Sequence, residues 1–161
     1  MLKQLVAGVV VAVILAGPVP PAAADNVADC VQSADPALSI SGCTKAIACG
    51  GWKGSDLAWA YNNRGGAYAN KGDSDRAIAD YTKAIDLKPD YAIAYYNRGF
   101  SYRHKGDDDR AIADWSKALA LKPDFAYAYN NCGQAPGNNG DSNRAIADCE
   151  KAHPLDPALN C

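Results

Sequence analysis

Residues 58 to 91, AWAYNNRGGAYANKGDSDRAIADYTKAIDLKPDY, and residues 92 to 125, AIAYYNRGFSYRHKGDDDRAIADWSKALALKPDF, match slot for slot. The segment from Ala126 onward, AYAYNNCGQAPGNNGDSNRAIADCEKAHPLDPAL, matches both with damage. A fixed period of this length excludes a single conventional core. Each copy is one supersecondary unit that buries its apolar face only against its neighbours.

The residues inside one period make that unit a helical hairpin. In the middle copy Tyr95, Gly99 and Tyr102 recur at i, i+4 and i+7, which places them on one helical face. Gly99 has no side chain, so a second helix can come close there. Lys105-Gly106-Asp107 breaks the run. Asp107 is a natural N-cap for the next helix, with Asp108 and Asp109 near its positive end. That helix carries Ala111, Trp115 and Ala118 on one face; the small residues admit the first helix and Trp115 fills the gap beside them. Pro123 ends the unit.

These positions resemble the tetratricopeptide repeat family: Tyr95-x2-Arg98-Gly99-x2-Tyr102, then Ala111-x3-Trp115, Ala118 and Pro123. The preceding copy supplies Tyr61, Gly65, Tyr68, Ala77, Tyr81, Ala84 and Pro89. The family often has Trp at the slots of Tyr61 and Tyr95, and Leu at those of Arg64 and Arg98. The resemblance implies an all-α fold of helix–turn–helix repeats stacked as a short right-handed α-solenoid.

The expected organisation follows the chain. Residues 1–24 read as a signal peptide: Lys3, an apolar stretch from Leu5 to Ala16, and Ala22-Ala23-Ala24 before Asp25. The apolar stretch is shorter than the roughly 20 residues that span a bilayer, so no stable membrane insertion is expected after cleavage. Residues 25–57 form a capping hairpin and loop, with Asp35 and Pro36 opening its second helix. The string Cys43-Thr44-Lys45-Ala46-Ile47 lines up with Tyr81-Thr82-Lys83-Ala84-Ile85. Gly50, Gly51 and Gly54 mark the loop. Repeats at 58–91 and 92–125 follow, then a degenerate third copy and tail at 126–161. There Pro136 takes the slot of Tyr68 and Tyr102, so the helix starting near Phe125 is expected to end near Gln134, before a loop from Ala135 to Gly140.

The expected mature chain carries a formal charge of −3 and has no basic run, which argues against nucleic acid as a partner. Six cysteines in an exported chain, periplasmic or secreted, read as disulfides. Cys132 holds the slot of Arg64 and Arg98, and Cys149 that of Tyr81 and Trp115, so the two face each other across a hairpin. Cys30 and Cys43 fit the same geometry across a shorter turn. Cys30–Cys43 and Cys132–Cys149 are the expected pairs; Cys49 and Cys161 are left over.

Catalytic chemistry has no foothold. There is no CxxC, HExxH, GxSxG or phosphate loop, and His104 and His153 are isolated. No cofactor, metal or catalytic residue is expected, and an enzyme of unrecognised type is the least favoured reading. The resemblance implies a concave groove lined by the first helix of each repeat. Opposite the tyrosine–glycine face lie Trp59 and Asn62, then Ile93, Tyr96, Phe100 and Arg103, then Tyr127 and Asn130. Stacking between helices is the competing explanation for these rings. The groove's centre is expected between the first two copies. Family members that clamp a C-terminal carboxylate use basic residues here. This chain has Asn97 in one clamp slot but Asn62, Tyr127 and Asn131 in the basic ones. The expected function is a non-enzymatic scaffold of the cell envelope that binds a peptide or extended protein segment. A structural role, with self-association through the C-terminal end into a homo-oligomer, is the alternative.

Overall fold

The copies at 58–91 and 92–125 each have two breaks, Lys-Gly-Asp and Lys-Pro-Asp, and the backbone turns at both. The computed structural model describes residues 24–134. In chain order its helices are α1 (Ala24–Gln32), α2 (Pro36–Ala48), α3 (Ala58–Asn70), α4 (Ser74–Leu87), α5 (Ala92–His104), α6 (Asp108–Leu121) and α7 (Ala126–Gln134). A 3-10 turn, Gly54–Leu57, leads into α3, and no strand occurs among the described residues. The chain divides between Pro89 and Asp90 into two units. Residues 1–23 of the expected leader, the expected Ala135–Gly140 loop, Cys149, Cys161 and the last expected helix lie outside the described residues.

The hairpin turns are built twice in the same way. Gly72 and Gly106 sit at φ 78° and 77°, where a side chain would be strained. Asp73 N–H then reaches back to Tyr68 O at 2.9 Å, and Asp107 N–H to Tyr102 O at 3.0 Å, so carbonyls at the helix end are satisfied. The Asp73 carboxylate accepts from Arg76 N–H at 3.1 Å, and that of Asp107 from Arg110 N–H at 3.1 Å. The expected cap at Asp107 is therefore present. The guanidinium of each arginine returns to its capping carboxylate. It also lies over a tyrosine, Arg76 at 4.5 Å from the Tyr68 ring and Arg110 at 4.4 Å from the Tyr102 ring.

Inside each hairpin, glycine meets an aromatic ring. A Cβ at Gly65 would lie 2.8 Å from Tyr81, and one at Gly99 would lie 2.8 Å from Trp115 and 3.0 Å from the carbonyl oxygen of Ala111. Tyr81, Trp115, Ala77, Ala84, Ala111 and Ala118 are buried, as the sequence pattern predicts. Because Trp115 is enclosed, its ring has no room to retreat. Gly99→Ala gains about 1 kcal/mol of helix propensity but overpacks a filled contact, at a cost of about 1–3 kcal/mol. We expect a net loss near 1 kcal/mol in urea unfolding. A stabilised variant would show that α5 and α6 move apart freely.

Beside each glycine stands an ion pair. Arg64 holds Asp80 through two parallel bonds of 2.7 and 2.8 Å. Arg98 holds Asp114 through bonds of 2.7 and 2.8 Å. Side-chain exposure is 19% and 10% in the first pair, 17% and 9% in the second. These arginines stand where the family often places Leu, and their fork geometry matches a carboxylate. Arg64 also donates to Thr44 Oγ1 at 3.1 Å, which ties α3 to α2.

The first unit begins with the expected capping hairpin. Asp35 accepts from Ala37 N–H at 2.8 Å, and Pro36 opens α2. Cys30 and Cys43 are disulfide-bonded, as the register predicts; closing a loop of this size contributes about 3 kcal/mol in the chain-entropy account. The bond sits in a core with Val27, Ala46, Trp52, Trp59 and Ala60. Trp52 falls in the stretch the glycines mark as loop. Gly50, at φ 70°, turns the chain so that the Trp52 ring stands edge-on against Trp59 at 5.4 Å. In the second unit Cys132 is buried and disulfide-bonded; its expected partner, Cys149, is not among the described residues.

Candidate functional site

A first helix packed on one side only would leave its second face open. The first helices here are covered on two sides. In the first unit Trp59 is 5% exposed and belongs to the core around the disulfide. Asn62 is enclosed as well, donating to Asn63 Oδ1 at 3.5 Å. The physical reason is that α3 packs against α4 through Gly65 and against α2 through Trp59 and Arg64. Two residues expected at the groove are thus interior side chains.

In the second unit the expected residues separate into a buried anchor and an accessible rim. Tyr96 is the anchor: it is 3% exposed, packs on Phe125 at 4.8 Å, and accepts a hydrogen bond from Asn131 Nδ2 at 3.0 Å. Burial pushes its hydroxyl pKa up, against the opposing effect of Asn131. Its carbonyl accepts the indole N–H of Trp115 at 3.1 Å. Tyr96 therefore fixes α5, α6 and α7 relative to one another.

The rim lies around that anchor. Phe100 is half-buried, its ring edge-to-face with His104 at 4.6 Å. Arg103, one turn on, donates to the Asn131 carbonyl at 3.5 Å. Ile93 is half-buried, Asn130 exposed, and Tyr127 is 64% exposed. So α5 and α7 bring a phenyl ring, a phenol, an imidazole and a guanidinium to one part of the second unit. Such groups bind by ring contact and by donation to carbonyl or carboxylate oxygens. Among the described residues no group of His, Cys, Asp and Glu could hold a metal ion. No helix among them is long and apolar enough to cross a membrane.

Asn131 is the residue that sequence reasoning undervalued. By sequence it marks only the absence of a basic clamp residue, whereas its side chain and its carbonyl bind Tyr96 and Arg103. The signal was its recurrence: Asn63, Asn97 and Asn131 occupy one slot in three copies.

The tetratricopeptide repeat family matches residues 58–91 and again 80–113, and its TPR-repeat form matches 101–140. The chain is a tetratricopeptide-repeat protein. Among solved structures, a crystal structure of MamA is 31% identical with a TM-score of 0.62, covering 73% of this chain and 66% of that one. A second MamA structure is 25% identical with a TM-score of 0.62, covering 78% of this chain and 68% of that one. The tetratricopeptide chain thus spans about two thirds of each of these relatives. No curated protein matches it. Its paired helices, like those of the MamA structures, give it the architecture of a protein-interaction scaffold.

Proposed function

We propose that this tetratricopeptide protein is a non-enzymatic scaffold of the cell envelope that holds an extended segment of a partner protein against α5 and α7. The observation that carries this reading is the rim of Phe100, Arg103 and Tyr127 around the buried Tyr96 anchor. Tyr127 is 64% exposed, so its ring is accessible to a partner. Aromatic and Arg side chains most often dominate binding energy at protein interfaces. Arg103 presents donors to an acidic or carbonyl group of the segment.

The envelope assignment rests on the leader-like sequence and on a disulfide. The leader-like residues precede a disulfide between Cys30 and Cys43, and such bonds persist in oxidising compartments. N-terminal sequencing of the exported protein is expected to begin at Asp25; an intact Met1 in a cytoplasmic fraction would sink that assignment.

The groove reading is tested by Phe100→Ala. Partner binding, measured by calorimetry on a protein captured from the exported fraction, is expected to weaken by about 1–2 kcal/mol, roughly 5- to 30-fold. Helical content by circular dichroism should be unchanged, because Phe100 faces away from Gly99 and Trp115. Loss of folding would assign the ring to packing. Unaltered affinity would place the interface elsewhere.

A further inference from the structure

The first unit contains a cavity of about 60 Å³ between the α1–α2 corner and the second half of α3. Cys30, Val31, Pro36 and Ala67 give it an apolar body, and none of its lining residues is charged. A full charge entering it would lose hydration without a countercharge, so its occupant is neutral. At roughly 15 Å³ per water molecule by this measure, it takes about four water-sized groups.

Two of its polar side chains have bonding capacity left. Asn63 is 5% exposed and lines the cavity. Its Oδ1 accepts from Asn62 Nδ2 at 3.5 Å, a long contact that tells the oxygen end of the amide from the nitrogen end and leaves the side chain able to turn, and its Nδ2 is buried with no hydrogen-bond partner. A buried amide donor without a partner is rare enough in folded proteins to need an explanation. Ser39, also lining the cavity, donates its hydroxyl proton to Cys30 O at 3.0 Å, which leaves oxygen lone pairs able to accept. Exposed Asn70 lines the same cavity. The lining therefore holds one spare donor and one spare acceptor on an otherwise apolar, uncharged wall.

We propose that this cavity is a recognition pocket for a primary amide, the side chain of an asparagine carried by a partner segment. The group has the required size, with a methylene, a carbonyl carbon, an oxygen and a nitrogen. Its oxygen accepts from Asn63 once that side chain turns toward it, and its N–H donates to Ser39 Oγ. The methylene packs on Val31, Pro36 and Ala67. The pocket belongs wholly to the first unit, and it stands independently of the α5–α7 surface.

The test uses the oxidised, ¹⁵N-labelled protein and three probes of nearly equal shape: acetamide, acetone and acetate. Acetamide is expected to shift the side-chain amide signals of Asn63 saturably. Acetone lacks the donor, so it should bind roughly 2- to 10-fold more weakly, the worth of one net hydrogen bond. Acetate should leave the signals in place. Asn63→Leu should abolish the acetamide shifts at the backbone amides of Ser39 and Ala67. If that variant fails to fold, Ala34→Trp, at an exposed wall position, should block acetamide by filling the pocket. Phe100→Ala should leave acetamide binding intact, which separates this pocket from the α5–α7 reading. Absence of a saturable acetamide shift, or equal binding of acetate, would overturn the proposal and leave the cavity a hydration site.

Discussion

Trp115→Ala is expected to destabilise the second unit by about 4 kcal/mol, the middle of the range for truncating a buried aromatic side chain. Three observations set the size. The side chain is fully enclosed. Its ring lies against Gly99, so the space it vacates is bounded by backbone on one side. Its indole N–H donates to Tyr96 O, so truncation also removes a partner from a carbonyl inside the helix pair. Partial collapse is limited because α5 and α6 already touch at Gly99 and Ala111, and they cannot close further without moving the Arg98–Asp114 pair. Trp115→Phe separates the terms. It keeps most of the ring and loses the hydrogen bond, so about 1–2 kcal/mol is expected. Urea unfolding followed by circular dichroism reads both. A loss under about 2 kcal/mol for Trp115→Ala would show that the hairpin repacks and that the indole is not its wedge.

The repeat made some of this legible in advance. A slot filled twice by glycine, facing a slot filled by Tyr81 and Trp115, could be read as a close approach because both copies agreed. The caps at Asp35 and Asp107 were readable because capping is local chemistry. The Cys30–Cys43 bond followed from register. What failed was the inference from one helical face to the other. Opposite the tyrosine–glycine face a helical wheel leaves Trp59, Asn62 and Tyr96 apparently free, but a helix inside a stack has neighbours on two sides. Trp59 meets Trp52, which no periodicity announced because it follows two glycines. Tyr96 meets Phe125 and Asn131, which lie about thirty residues away in sequence. The Arg64–Asp80 and Arg98–Asp114 pairs were missed for another reason. Arginine and aspartate on a helix read individually as solvated surface. Only their common separation of sixteen residues in both copies carried the information.

Those pairs give the second large effect. Arg98→Met should destabilise the second unit by about 3 kcal/mol near neutral pH, because it leaves the Asp114 carboxylate largely buried without its charge partner. The pH dependence distinguishes this from lost packing. Burial already pushes the Asp114 carboxyl above its ordinary 3.8, with Arg98 as the main opposing influence. Removing Arg98 raises it further. A folded state that holds the proton more tightly than the unfolded chain is stabilised as pH falls through the folded value, and the gain is complete below the ordinary carboxylate value. The deficit of Arg98→Met relative to wild type should therefore be largest at neutral pH and shrink towards pH 4. The capping carboxylate of Asp107 is shifted the other way, downward, by its bonds to Arg110. Its loss in acid is common to both proteins and cancels in the difference. The double variant Arg98→Met, Asp114→Leu should recover most of the stability, since replacing both members of a buried pair by apolar groups is often neutral or better. A pH-independent deficit that the double variant fails to repair would mean that Arg98 acts through its packing on Tyr95 and Tyr102, over whose rings it also lies at 5.6 and 5.9 Å, rather than through its charge.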